Sequence, residues 1–479
     1  MAQDSFYWHD YETFGLDPQR DGVAQFAGIR TDLDFNVIGE PLVIYCKPTD
    51  DKLPQPEACC VTGITPQLAA EKGLCEAEFI SLIHAQMVQI NTCTLGYNNL
   101  RFDDEVTRNL LYRNFYDPYT REWQNGNSRW DLVDLARTMY ALRPDGLQWP
   151  MDDKGVVSLR LEKLTEANGI KHAAAHDALS DVYATMEFAK LMQQAQPKLF
   201  QFFWENRGKH QVNKLLQLGS YQPVIHVSGM YGAVKNFISL VVPICQHPVN
   251  SNGVIVYDLS INPEVMLSLS AEEIQQRIFT AQADLPEGVA RIPLKTVHIN
   301  KCPVIAPAKV LRPADAQRLA IDTAACEVHC QMIAQDTALI EKLKTVFSAN
   351  QFAPVTDPDL MIYSGGFFSA RDKKVINEVR ELTSEQLVNY EVHADDDRLS
   401  EMLFRYRARN YPDTLNTEEH KHWQEFCNIR LNNSQAAGFL DFATYRQKIA
   451  ELKQQDGIDK QLMLDLEAYA VELEQRLSL

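Results

Sequence analysis

Asp10 and Glu12 stand two residues apart in the run His9-Asp10-Tyr11-Glu12-Thr13, which closes a short aromatic, β-rich stretch. Side chains two apart in a strand share a face, so both carboxylates project to one side, as a divalent cation requires. A lone pair of this kind is common in an acidic chain, and a solvated strand end explains it equally well. Asp103 ends a Gly/Asn-rich loop after a short apolar run (residues 96–105, GYNNLRFDDE) and is aimed back toward the strand ends. Asp104 and Glu105 beside it read just as well as acids at the positive end of a helix. His176 and Asp181 bracket the entrance of a later helix, with Asp177 in the place of its N-cap.

The set says more than its members. Four carboxylates can hold two Mg²⁺ ions about 4 Å apart and clamp the attacking and leaving oxygens of an in-line phosphoryl displacement. Hard oxygen donors suit Mg²⁺, with Mn²⁺ able to substitute, rather than zinc. An imidazole such as His176 titrates near neutral pH and can take a proton from the attacking water.

These residues need elements to position them. Residues 6–9, 23–30 and 37–46 read as strands, the last broken by Gly-Glu-Pro. Helical periods follow at 77–89, 104–115 and 132–142, with a short apolar strand at 92–97 and a turn at Pro144-Asp145-Gly146. A helix over 177–193 ends before Pro197. Strands first, then alternating helix and strand, predict an α/β domain with a mixed sheet over 1–193. Short β-rich runs at 224–227, 237–242, 254–257 and 297–299, with a helical insert at 271–281, predict a small barrel-like domain within 197–350. From 354 to 479 the chain reads as helical, with no repeat and no low-complexity tract.

The chain has 479 residues, ample for several cores, with 46 Lys+Arg against 64 Asp+Glu for a formal charge of −18. That balance excludes a protein that coats duplex DNA by bulk charge. Residues 191–350 alone carry a small basic excess, gathered in strips at 198–235 and 291–318, and this suits a polyanion led along a narrow track. Solvated surface side chains are the plainer reading of any one strip. Ten cysteines without a C-x-x-C spacing predict free thiols and no zinc ribbon. The first ten residues hold no basic region followed by an apolar stretch, and no stretch is apolar and long enough to span a bilayer; a cytoplasmic protein without membrane contact is expected.

The order acid-x-acid, acid, then His followed five residues later by Asp resembles the DEDD exonuclease superfamily, in its histidine-bearing subgroup (DEDDh). Longer motifs resemble the bacterial exonuclease I family: residues 9–15 (HDYETFG), 62–66 (TGITP), 96–105, 127–131 (NSRWD), 141–144 (ALRP), 176–183 (HDALSDVY), 226–233 (HVSGMYGA), 298–303 (HINKCP) and 404–410 (FRYRARN). The resemblance covers essentially the whole chain. It implies an RNase H-like exonuclease domain, an SH3-like β-barrel domain and a C-terminal helical domain arranged around single-stranded DNA. It also implies 3′→5′ degradation of that DNA to 5′-mononucleotides, in DNA repair and recombination, by a monomer. Asp10, Glu12, Asp103 and Asp181 become the metal-binding carboxylates and His176 the general base. Glu12 and Arg160 become substrate contacts. The family also binds the acidic C-terminal tail of the single-stranded DNA-binding protein, and Arg143 and Arg312 match that basic surface.

Aromatic and arginine residues interleave from Tyr97 to Trp130, a composition that holds single strands by stacking and phosphate contact. Helical spacing places Tyr112 and Phe115 in the core, leaving Arg108, Tyr119 and Trp123 as the expected strand contacts. Three other readings remain open at this stage: an HD-type nucleotide phosphohydrolase, a DNA- or partner-binding protein without turnover, and a nuclease of short RNA.

Overall fold

The computed structural model describes residues 4–171, 177–348, 355–433 and 438–478, so His176 lies outside the described residues. Among them the chain forms two compact bodies, one from 1–128, 172–186 and 353–479, the other from 129–171 and 187–352.

In the first body, β1 (Ser5–Thr13), β2 (Val23–Thr31), β3 (Leu42–Cys46), β4 (Gly73–Leu74) and β5 (Thr92–Gly96) lie side by side in the order β4-β3-β2-β1-β5. β1 runs antiparallel to β2 and parallel to β5, the mixed sheet expected from the sequence. Flanked on both edges and covered on both faces, β1 buries Phe6, Tyr7, Trp8 and Tyr11 to at most 4% exposure. Hence its run is continuously aromatic instead of alternating. The Gly-Glu-Pro break confines β3 to Leu42–Cys46, and Val37 makes only a single bridge to Thr31.

The C-terminal helices Ala370–Glu381, Arg398–Asn410, Thr417–Leu431, Phe442–Leu452 and Lys460–Leu477 belong to this same body. Leu399, Met402 and Tyr406 pack with Ala77, Tyr112 and Phe115, and Trp423, Tyr445 and Leu466 pack with Phe14, Leu53 and Cys59. Buried ion pairs accompany the apolar contact. Asp51, wholly buried, accepts from Arg409 at 3.0 Å and Arg430 at 2.9 Å, and Arg405 joins Asp357 and Asp359 at 2.6 and 3.0 Å. The C-terminal helical domain thus shares its core with residues of the N-terminal sheet and the helices beside it.

β6 (Ser128–Asp131) leads into the second body. There β7 (Val224–Val227), β8 (Ile238–Gln246), β9 (Gly253–Asp258), β10 (Leu294–His298) and β11 (Val304–Pro307) form an antiparallel sheet in the order β10-β9-β8-β7-β11. Val224, Val241, Val254, Val256, Val297 and Ile305 close its core with Val212 and Leu216. β8 continues past Pro243, where the register shifts before Cys245; the bulge absorbs the amide that proline lacks. β11, bounded by Pro303 and Pro307, carries too little periodicity to be read from sequence. The insert helix is Ala271–Phe279, and helices Thr323–Gln335 and Leu339–Ser348 follow the sheet. All ten cysteines are free thiols.

Candidate active site

The pleat of β1 sets Asp10 and Glu12 on one face. Their carboxylate oxygens and one of Asp181 all lie within 4.8 Å of one another. Asp181 arrives on the helix Ala178–Ala195. Gln25 sits opposite Glu12 in the β1–β2 register, is 2% exposed, and accepts a long hydrogen bond of 3.4 Å from the amide of Ala178. It thereby holds the helix start against the face that carries the acids. Asp177 accepts from the Ser180 amide at 3.0 Å, the N-cap role expected of it.

Asp103 opens the helix Asp103–Arg113 and is 4% exposed. Its Oδ1 accepts from the Tyr11 amide at 3.1 Å, between Asp10 and Glu12. The Thr107 hydroxyl reaches both the Asp103 carbonyl at 2.8 Å and the Tyr11 hydroxyl at 3.0 Å. Asp104 is not a generic helix-opening acid: it pairs with Arg121 at 2.8 Å, both side chains 0% exposed. Gly96, at the end of β5, lets the two strands approach: a Cβ there would stand 2.7 Å from the His9 carbonyl oxygen.

Burial, then the neighbouring Asp103, Glu12, Asp181 and Asp177, hold the Asp10 carboxyl well above the usual carboxylate range. Burial and then Asp181, Asp103 and Asp177 push Glu12 up to about 8. Four acids this close oppose one another's ionisation, and a hard divalent cation is the partner that reverses it. The donor set, oxygen only and preassembled, fits such an ion. Burial also lowers His9 to about 4, so the imidazole beside Asp10 is neutral at physiological pH.

The other expected contacts separate. Tyr112 and Phe115 are core residues, as their spacing predicts. Trp123 is 65% exposed and available. Arg108 requires a correction. It is 3% exposed and committed to Glu122 at 2.7 Å and Glu105 at 2.8 Å, so it is a buried bracket of the helix rather than a phosphate contact. Tyr119 is half-buried beneath it, its hydroxyl donating to the Ile362 carbonyl at 3.3 Å. In the second body Arg160 is exposed at the N-cap of the helix Leu161–Ala167. There too Arg143 and Arg312 meet on Asp315, at 2.8 and 2.7 Å, with Arg318 3.9 Å away. Three guanidinium groups around one carboxylate leave an excess of positive charge. Gln25 carries no local sequence signal, since it matters through Ala178, and nothing local announces that Asp315 also meets Arg143, 172 residues before it.

Family models match in three successive stretches: "Exonuclease" over residues 7–189, "Exonuclease I SH3-like domain" over 207–349 and "Exonuclease I C-terminal domain" over 356–473. The chain is 46% identical to exodeoxyribonuclease I of Haemophilus influenzae, across 99% of this chain and 100% of that protein. It is similar to the crystal structure of Escherichia coli exonuclease I in complex with a dA16 oligonucleotide (TM-score 0.94, 46% identity, 98% and 100% of the two chains). A zinc-bound form of the Escherichia coli enzyme with single-stranded DNA is similar too (TM-score 0.93, 45% identity, 99% and 100% covered). So is an exonuclease I structure described with SSB and the inhibitor CFAM (TM-score 0.90, 44% identity, 98% and 100% covered).

Proposed function

Because this chain belongs to the bacterial exonuclease I family of the DEDDh superfamily, we propose that it degrades single-stranded DNA from the 3′ end, releasing 5′-mononucleotides by two-metal-ion phosphodiester hydrolysis. The observation that carries this reading is the convergence of Asp10, Glu12 and Asp181 within 4.8 Å, with Asp103 pinned to the amide between the first two. The complexes of similar enzymes with DNA strands support the choice of polymer.

Bound divalent cations, Mg²⁺ foremost with Mn²⁺ able to substitute, would supply charge stabilisation at the attacking and leaving oxygens. Asp10, Glu12, Asp103 and Asp181 would hold them, and Glu12 also borders the 3′-terminal nucleotide. His176 takes the proton of the attacking water. Arg160 neutralises a strand phosphate, and Trp123 receives a base. The arginines gathered on Asp315 suit an acidic peptide, so Arg143 and Arg312 are assigned to the tail of the single-stranded DNA-binding protein; the similar structure with SSB supports that partner. Among the described residues no helix is long and apolar enough to cross a membrane, and a cytoplasmic monomer acting in repair and recombination fits this chemistry. The assignment keeps 1–193 as the nuclease domain, 197–350 as the barrel domain and 354–479 as the helical domain.

The test uses single-stranded DNA and RNA labelled at either end, with Mg²⁺ or EDTA, and wild type beside Asp10→Ala. The reading expects DNA shortened from its 3′ end by wild type in Mg²⁺ alone. Digestion that persists in EDTA or in Asp10→Ala contradicts the metal mechanism, and ladders shrinking from the 5′ end contradict the polarity.

A further inference from the structure

Asp104 and Arg121 form an ion pair at 2.8 Å in which neither side chain is exposed to solvent. Asp104 directly follows Asp103 in the first turn of the helix Asp103–Arg113, and its amide donates to the Asn99 carbonyl at 2.9 Å. Arg121 comes from the turn Thr120–Glu122, 17 residues further on. While Nη2 donates to Asp104, Nη1 approaches the Thr94 hydroxyl on β5 at 3.5 Å. Thr94 lies opposite Tyr7 in the β1–β5 register. Asp104 and Arg121 also act in opposite senses on the imidazole of His9, the residue before Asp10. The pair therefore sits behind the strand that carries the first two acids of the site.

Burying both charges completely is costly, and apolar side chains of similar volume often serve stability as well. Cohesion alone is thus a poor reason for the pair, and its geometry supplies a better one. Asp103 and Asp104 hold the same helical turn from two directions, Asp103 through the Tyr11 amide on β1 at 3.1 Å and Asp104 through Arg121. Asp10 and Glu12 remain raised by burial and by their fellow acids, so Arg121 does not neutralise the site. Its charge is answered by Asp104. Reacting groups must be held closely, since a displacement of about 1 Å can cost about a hundredfold in rate.

We propose that Arg121, acting through Asp104, is a positioning residue for hydrolysis: it fixes the start of the helix so that the Asp103 carboxylate faces the acids of β1. With its side chain wholly buried, Arg121 touches neither strand nor cation. Asp104 is bound to Arg121 and takes no part in holding cations. The proposal rests on the nuclease reading above and deepens it by naming what orients one of the four carboxylates.

Steady-state hydrolysis of labelled single-stranded DNA by the full chain in saturating Mg²⁺, read beside melting curves, tests it. Arg121→Met keeps the length of the side chain and removes its charge. It is expected to lower kcat about ten- to a hundredfold while KM for the strand stays unchanged. Arg121→Lys is expected to recover part of that loss. In an Asp103→Asn background the same Arg121→Met change should cost less than about threefold, because the group it positions is already disabled. Should Arg121→Met fail to fold, Asp104→Leu with Arg121→Met leaves no lone buried charge and is expected to show the same loss of kcat. A kcat within about threefold of wild type in a folded variant, or a loss that multiplies in full with Asp103→Asn, would overturn the proposal. Failure of both variants to fold would make the pair structural and overturn it too. If wild type left single-stranded DNA uncut in Mg²⁺, the nuclease reading itself would fall, a result distinct from all of these.

Discussion

The Asp103 carboxylate accepts the backbone amide of Tyr11 at 3.1 Å. Tyr11 is the residue between Asp10 and Glu12, so one hydrogen bond fixes the helix after β5 to the strand face that carries the other acids. The site is thus assembled by backbone before any ion arrives. Its carboxylates stand closer than their charges would choose, and that arrangement costs the metal-free protein stability.

Asp103→Asn separates these effects. The amide oxygen still accepts from Tyr11, but the charge is gone. Turnover is expected to fall at least about a hundredfold. Thermal stability in EDTA is expected to rise by about 0.5–2 kcal/mol, because a like charge leaves a buried cluster. Asp103→Ala, which also loses the hydrogen bond, should melt below Asp103→Asn. Nuclease rates and melting curves in EDTA read both effects.

Cation binding should release protons. With Glu12 pushed up to about 8 and Asp10 raised with it, the metal-free site holds protons at neutral pH. The folded state binds them more tightly than the unfolded chain, so stability without metal falls as pH rises from about 4.5 toward 8. Mg²⁺ must displace these protons, so its affinity increases with pH through the value near 8 of Glu12. Calorimetric titration at pH 7 in buffers of different ionisation enthalpy should report proton release, smaller at pH 9 by the share that Glu12 carries. Binding without proton release at pH 7 contradicts the raised values.

The ion pairs around Asp51 should govern global stability. Arg409, Arg430 and Lys52 hold its carboxyl far below the usual range against the effect of burial. Asp51→Ala leaves two buried guanidinium groups short of a partner and is expected to cost about 3–5 kcal/mol in chemical denaturation. The contribution of Asp51 is present above its unfolded pKa and is lost only as pH falls through the low folded value. The variant and wild type should therefore converge in strong acid.

Arg143→Glu places a second carboxylate beside Asp315 and reverses the charge offered to an acidic tail. Affinity for a peptide of the tail of the single-stranded DNA-binding protein is expected to fall at least about tenfold, and the salt dependence of binding to shrink. Unchanged affinity would remove Arg143 from that surface.

Much of this was legible because local rules govern it. Period-two spacing placed Asp10 and Glu12 on one face, and helical spacing put Tyr112 and Phe115 in the core. Cap chemistry gave Asp177 its role, and the apolar period matched the helix Leu132–Leu142. What escaped depends on partners distant in the chain. Nothing near Arg108 announces that Glu122 will bury it. Asp51 lies more than 350 residues before Arg409 in the sequence, so the shared core of the N-terminal sheet and C-terminal helices was invisible to any local pattern. β11 escaped because prolines bound it, and Asp104 because an acid at a helix start has a ready local explanation.

The central claim is that four carboxylates act as one metal-holding device. Single-turnover release of the 3′-terminal nucleotide, measured at saturating Mg²⁺ for Asp10→Asn, Glu12→Gln, Asp103→Asn, Asp181→Asn and the combined variant, tests it most directly. Groups that work as a unit are not additive, so each single change should cost nearly as much as all four together. Losses that multiply from variant to variant, or any one acid dispensable within about threefold, would contradict the shared site.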